Sequence, residues 1–175
     1  MKSAWHKEIR ESMREIVFGL EDSLVSTLGA LTGIAAGTRN ASVVILSGLV
    51  IVAVEAVSMA AGSYLSSKIA AEAEQADGIR TSFHAVRAAG VMGVFYVMGG
   101  MVPLAAYLIF PIETASLPSV IITAVVLFGV GAWSASFAKR SLWKGGVEML
   151  VVSLAAAGIG YMIGCFAQQA LGVRL

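Results

Sequence analysis

The sequence predicts an all-α integral membrane protein with five transmembrane helices per subunit, the N-terminus in the cytoplasm and the C-terminus outside. Three observations carry that prediction. Hydrophobic residues make up 58% of the 175-residue chain and charged residues 13%, with a mean hydropathy of +0.84. That is more apolar surface than a water-soluble domain of this size can bury. Five stretches reach the roughly 20 mostly apolar residues that a spanning helix needs, and the basic residues collect on alternate connections between them.

The first span is expected near Ile16–Ala36, after the charged segment MKSAWHKEIRESMRE. That segment lacks the short apolar region and small-residue cleavage site of a signal peptide, so the first span is expected to be retained. Gly29, Gly33 and Gly37 recur every four residues, a pattern that lets another helix approach closely. The second span, Ser42–Ser66, is bounded by Gly37-Thr38-Arg39-Asn40 and by the polar stretch Lys68–Ser82. The third covers Phe83–Phe110, with a kink expected at Pro103. Pro111–Pro118 separates it from the fourth, Ser119–Phe137, and Lys139–Lys144 from the fifth, Gly146–Leu171, where Gly158, Gly160 and Gly164 offer a second packing face. The short connections leave room for one transmembrane domain over residues 1–175 and no soluble one.

Orientation follows from the positive-inside rule. Lys2, Lys7, Arg10, Arg14, Lys68, Arg80, Arg87, Lys139, Arg140 and Lys144 fall on one side, against Arg39 and Arg174 on the other. The net charge of +1 gives no reason to expect a nucleic-acid partner, and the one cysteine, Cys165, supports neither a disulfide framework nor a zinc motif. No nucleophile is paired with a base, so an enzyme is not expected, and no prosthetic group is called for.

The informative residues are acids at membrane depth: Glu21, Asp22 and Glu55. Glu55 lies about 20 Å along its span at 1.5 Å per residue. A charge there costs about 2.5–3.5 kcal/mol or more, so intramembrane acids face a partner, a cavity or a substrate path. No Lys or Arg sits mid-span to pair with it. Asp22 is about 9 Å from the cytoplasmic start of span one and Met59 about 13 Å from the same side, with Glu55 one turn from Met59 on the same face. Two carboxylates and a thioether can therefore converge. Carboxylates alone suit Mg²⁺ or Ca²⁺, and a soft thioether shifts preference toward ions such as Fe²⁺. Met59 equally reads as the gap filler that methionine often is.

Glu8, Glu11, Glu15 and Asp22 fall within about 60° on one helix face. That stripe reads either as a cation funnel or as a solvated face, with Lys7 pairing Glu11. Glu148 is expected to pair with Lys144 at the interface. Glu113 and the cluster Glu72, Glu74 and Asp77 read as solvated.

The stretch REIVFGLEDSLVSTLGALTGIAAG followed by EAVSMAAGSYLSSK resembles the first two spans of the vacuolar iron transporter family. Those spans typically show a Ser-Asp-Gly-Leu-type motif and then Ser-Met-Gly/Ala-x-Gly-x-Tyr-Leu. MGGMVPLAAYLIF and WKGGVEMLVVSLAAAGIGYMIG continue the likeness more weakly. The resemblance implies a homodimer of five-span subunits in a lipid bilayer that moves Fe²⁺, and often Mn²⁺, out of the cytosol in exchange for protons. The path would run along the dimer interface. Asp22 and Met59 match the family's membrane metal ligands, and Glu11 and Glu15 its acidic positions at the cytosolic entrance.

Three departures stand out. The family's second-span glutamate falls at Ile51, with Glu55 one turn later, and Glu21 adds a second acid beside Asp22. Lys68–Ser82 is also too short for the long cytosolic metal-binding insert of many eukaryotic members, so the chain reads as a short, bacterial-type member. The expected mechanism is entry past Glu11 and Glu15, binding between Asp22, Glu55 and Met59 of both protomers, and displacement of a carboxyl proton by metal. A Mn²⁺ exporter is one alternative. Another is a non-transporting scaffold in which a neutral Glu55 bonds Ser26 or Ser58. The expected location is a prokaryotic plasma membrane, or the vacuolar membrane in a eukaryote.

Overall fold

The computed structural model describes residues 12–76 and 85–171. They form helices α1 (Met13–Thr38), α2 (Ala41–Ala76), α3 (Ala85–Ile109), α4 (Ile112–Phe137) and α5 (Leu142–Leu171). Four of them, α2 to α5, are long and apolar enough to cross a membrane. The remaining helix, α1, is 26 residues long, as is α4, but carries Arg14, Glu15, Glu21 and Asp22 within its first ten residues.

The turns are local and well specified. Arg39 ends α1 in the left-handed region (φ 51°), with its N–H donating to the Ala35 carbonyl. Asn40 then accepts from the Val43 N–H at 3.2 Å, an N-cap that starts α2 at once. A two-residue link (Phe110, Pro111) joins α3 to α4, and residues 138–141 join α4 to α5.

Helix lengths differ from the hydrophobic spans. The 36 residues of α2 extend about 54 Å at 1.5 Å each, well beyond the ~30 Å hydrocarbon layer. The polar stretch from Lys68 is therefore not a break, because the helix continues to Ala76 with a Lys68–Glu72 contact of 3.8 Å along its surface. Likewise α4 begins directly after Pro111 and carries Pro118 inside it.

The helices alternate in direction, as their close contacts show. A Cβ at Gly93, Gly100 and Gly48 would meet Ala60, Val52 and Leu104 respectively, so α2 and α3 run antiparallel. A Cβ at Gly19 would lie 3.1 Å from the Met92 carbonyl oxygen, and one at Gly100 3.2 Å from the Thr27 hydroxyl, so α1 and α3 run parallel. Gly131 and Gly145 pack backbone to backbone between α4 and α5. At α3, Ser119 of α4 donates to the Pro103 carbonyl at 2.9 Å. Proline cannot donate to the helix ladder, and here a neighbouring hydroxyl supplements the bonding around it.

The central helix is α1. It packs on α2, α3, α4 and α5 and contributes Leu24, Leu28 and Leu31, all at most 1% exposed. Its glycine face meets α5. A Cβ on Gly33 would lie 2.7 Å from the Gly160 carbonyl oxygen, and Cβ atoms on Gly160 and Gly164 would strike the backbones of Gly29 and Gly33. The expected close approach is present, and Gly158 takes no part, since nothing lies near its Cβ position. The outer faces of α2 to α5 expose Val54, Val57, Val94, Val125 and Phe166 among others. A soluble protein does not leave so much apolar surface open. The fold is that of a membrane protein.

Candidate metal site between α1, α2 and α3

Where α1, α2 and α3 meet, three polar side chains interlock inside apolar surroundings. Glu55 projects from the middle of α2. Its Oε2 accepts from the Ser26 hydroxyl of α1 at 3.0 Å and from the Tyr96 hydroxyl of α3. The Ser26 and Tyr96 oxygens are 2.9 Å apart. Two hydroxyl protons thus serve three contacts: Tyr96 donates to Glu55, and the Ser26 proton is shared between Oε2 and the Tyr96 oxygen. Tyr96 is fully buried, and a buried hydroxyl needs a partner. Toward the α1–α2 turn the node is flanked by small or largely apolar side chains. Gly100, Val52 and Thr27 lie one turn toward the α1–α2 turn, and Gly48, Leu31 and Leu104 one turn beyond.

Asp22 stands one turn before Ser26 on α1, on the same face. Its carboxylate and that of Glu55 are close enough to act on each other electrostatically. Among the described residues neither has a Lys or Arg partner. Met59 follows Glu55 by one turn on the same face of α2 and is half-buried. Because the helices are antiparallel and Ser26 is bonded to Glu55, this register sets Asp22 and Met59 at one level, one turn nearer the basic end. Within one chain, among the described residues, no three His, Cys, Asp or Glu side chains gather closely enough to hold a metal. The donors here are two carboxylates and a thioether.

The other predicted residues separate. Glu21, adjacent to Asp22 in sequence, lines a different cavity of about 560 Å³ between α1, α4 and α5, with Arg14, Ser134, Arg140, Glu148 and Met149. It feels both Asp22 and Glu148. Glu148 pairs with Arg140 at 2.8 Å and not with Lys144, because the tight α4–α5 turn folds Arg140 back over the first turns of α5. Glu15 is half-buried in the first turn of α1, two turns before Asp22 on the same face. Glu11 lies outside the described residues, as do Glu8 and Asp77. Glu113 is exposed in the first turn of α4, and Ser58 is exposed on α2.

Tyr96 is the residue that sequence reasoning missed. Its signal was available: a lone tyrosine in GVFYVMGG, mid-span, whose hydroxyl must find a partner in an apolar layer. The Ser26–Glu55 bond is also the contact that the scaffold alternative expects. A hydrogen-bonded carboxylate is equally how a metal ligand is oriented.

The sequence profile of the VIT family matches residues 13–82 and 78–165. The two segments meet between α2 and α3. An uncharacterised protein of Methanocaldococcus jannaschii is 27% identical over 167 residues, covering 86% of this chain and 87% of its own length. Vacuolar iron transporter 1 of Eucalyptus grandis is 22% identical over 219 residues, covering 89% and 88%. That alignment is longer than this chain, so the plant protein carries inserted residues. Vacuolar iron transporter homolog 3 of Arabidopsis thaliana is 27% identical over 162 residues, covering 85% and 80%. With both halves of the five-helix chain matched, this protein belongs to the VIT family.

Proposed function

We propose that the protein carries a divalent transition-metal ion across the membrane, with Fe²⁺ as substrate and protons moving in exchange. The observation that carries this reading is Glu55. It is a carboxylate in the middle of an apolar helix, beside Asp22 and without a basic partner among the described residues. An acid so placed marks an ion path by default, and relatives of this chain are named vacuolar iron transporters.

In this reading the N-terminus is cytoplasmic and α1 is a fifth span, so the basic end of the bundle faces the cytosol. Glu11 and Glu15 collect cations there. Asp22, Glu55 and Met59 bind the ion, with copies from two protomers completing the shell, since among the described residues no three acid, His or Cys side chains of one chain gather at a point. Ligating carboxylates must be deprotonated, so metal binding releases protons and proton binding releases metal. That competition couples the two flows. The membrane is a prokaryotic plasma membrane.

The test is flux into liposomes containing the purified protein, with a metal-quenched dye and a pH dye inside. External Fe²⁺ under anaerobic conditions should quench the first dye and drive proton counterflow. Asp22→Asn and Met59→Ala should abolish both signals. A larger Mn²⁺ than Fe²⁺ flux would make manganese the substrate, and absence of any metal flux would leave the scaffold reading.

A further inference from the structure

We propose that Tyr96 is a positioning residue for the metal site, holding Glu55 so that one carboxylate oxygen stays free for the ion. The inference rests on the transport reading above and goes beyond it, since the sequence motifs of α1 and α2 do not include α3. Both hydrogen bonds to Glu55 converge on a single atom, Oε2. Among the described residues Oε1 has no hydrogen-bond partner. One oxygen is thus fixed by two hydroxyls from two other helices, and the other is left without a fixed donor, one helical turn from Asp22 in the register that the Ser26–Glu55 bond sets.

The rigidity comes from Tyr96. Its backbone packs closely on α1, where a Cβ on Gly19 would lie 3.4 Å from the Tyr96 nitrogen, and the residue is fully buried. A fully buried phenol has few rotamers to choose from. Its hydroxyl is therefore a fixed donor, whereas Ser26 is a short side chain that shares its one proton between two oxygens. Ligand carboxylates in metal sites are commonly held this way. Loss of such an outer partner typically costs roughly 10–100-fold in metal affinity while the ligand remains.

Tyr96→Phe removes the hydroxyl and keeps the ring. In liposomes it should raise the apparent KM for Fe²⁺ by roughly 10-fold or more with the maximal rate largely kept, the pattern of weakened binding and not of a lost transport step. Purified protein loaded with Co²⁺ should show a changed visible absorption band, because the coordination of the ion changes. Tyr107→Phe is the control. It removes another buried tyrosine hydroxyl from the same helix, one bonded to Ser116 at 3.2 Å, and should leave KM and the Co²⁺ band as in the wild type.

An unchanged KM and Co²⁺ band in Tyr96→Phe would overturn the proposal, as would an equal change in both tyrosine variants. If Tyr96→Phe does not fold, Tyr96→Met read against Tyr107→Met carries the same test: a KM raised only in the first supports the proposal and an unchanged one overturns it. Asp22→Asn separates this inference from the reading beneath it. Co²⁺ binding that survives Asp22→Asn sinks the site itself. Binding lost in Asp22→Asn but untouched in Tyr96→Phe sinks only the role of Tyr96.

Discussion

The two faces of α1 do different work. Toward α5 it presents Gly29 and Gly33, which bring two backbones together with no side chain between them. Toward α2 and α3 it presents Asp22 and Ser26, which face a carboxylate and a phenol. The first face is shape alone, since in lipid close packing of small residues is a main source of helix association. The second is polar and places acids where burial is costly. The contrast teaches that the seam with α5 sets the position of α1, while the node with α2 and α3 spends some of that stability on a site.

The comparison can be broken from either side. The largest effect is expected from Glu55→Gln, which keeps the shape and a hydrogen-bond acceptor but removes the charge. Metal flux in liposomes should fall by at least about 100-fold, the upper end of what even an outer-shell change costs. The thermal midpoint in detergent should hold, since the Gln amide oxygen can accept the same two hydroxyl bonds.

Next is Gly164→Val. Its side chain would overlap the Gly33 backbone, and backbone cannot step aside as a side chain can. Overpacking of about 1–3 kcal/mol should lower the thermal midpoint. Any loss of flux should track the loss of folded protein. A Gly164→Val protein that is fully stable but inactive would mean that the seam is itself part of the transport path.

The smallest effect is expected at Glu148→Gln. The Arg140–Glu148 pair is short but 59% and 63% exposed, so its loss should cost about 0–1 kcal/mol. Flux should be unchanged. A strong fall would instead bring the cavity holding Glu21 and Glu148 into the transport path.

The two faces were not equally legible. The glycine seam was visible because its period of four falls within one segment, and Gly160 and Gly164 repeat it in another. Asp22 and Glu55 stood out because acids are scarce in apolar runs. Tyr96 could not be placed, because its partners lie 41 and 70 residues away and nothing in a local pattern links them. The helix ends were blurred for a different reason. Hydropathy reports where lipid ends, but a backbone can stay helical into water, as α2 does from Lys68 to Ala76. Pro111 and Pro118 suggested one long loop, whereas the first caps α4 and the second is accommodated within it. The partner of Glu148 was misassigned because a four-residue spacing favoured Lys144, while the tight α4–α5 turn delivers Arg140.

Transport by this site requires donors from α1 and α2 to meet at one ion. X-ray absorption at the iron edge of protein loaded with stoichiometric Fe²⁺ tests this most directly. It should show a mixed oxygen and sulfur shell whose sulfur component vanishes in Met59→Leu and whose iron is no longer retained in Asp22→Asn. An all-oxygen shell that is identical in wild type, Met59→Leu and Asp22→Asn would contradict the site.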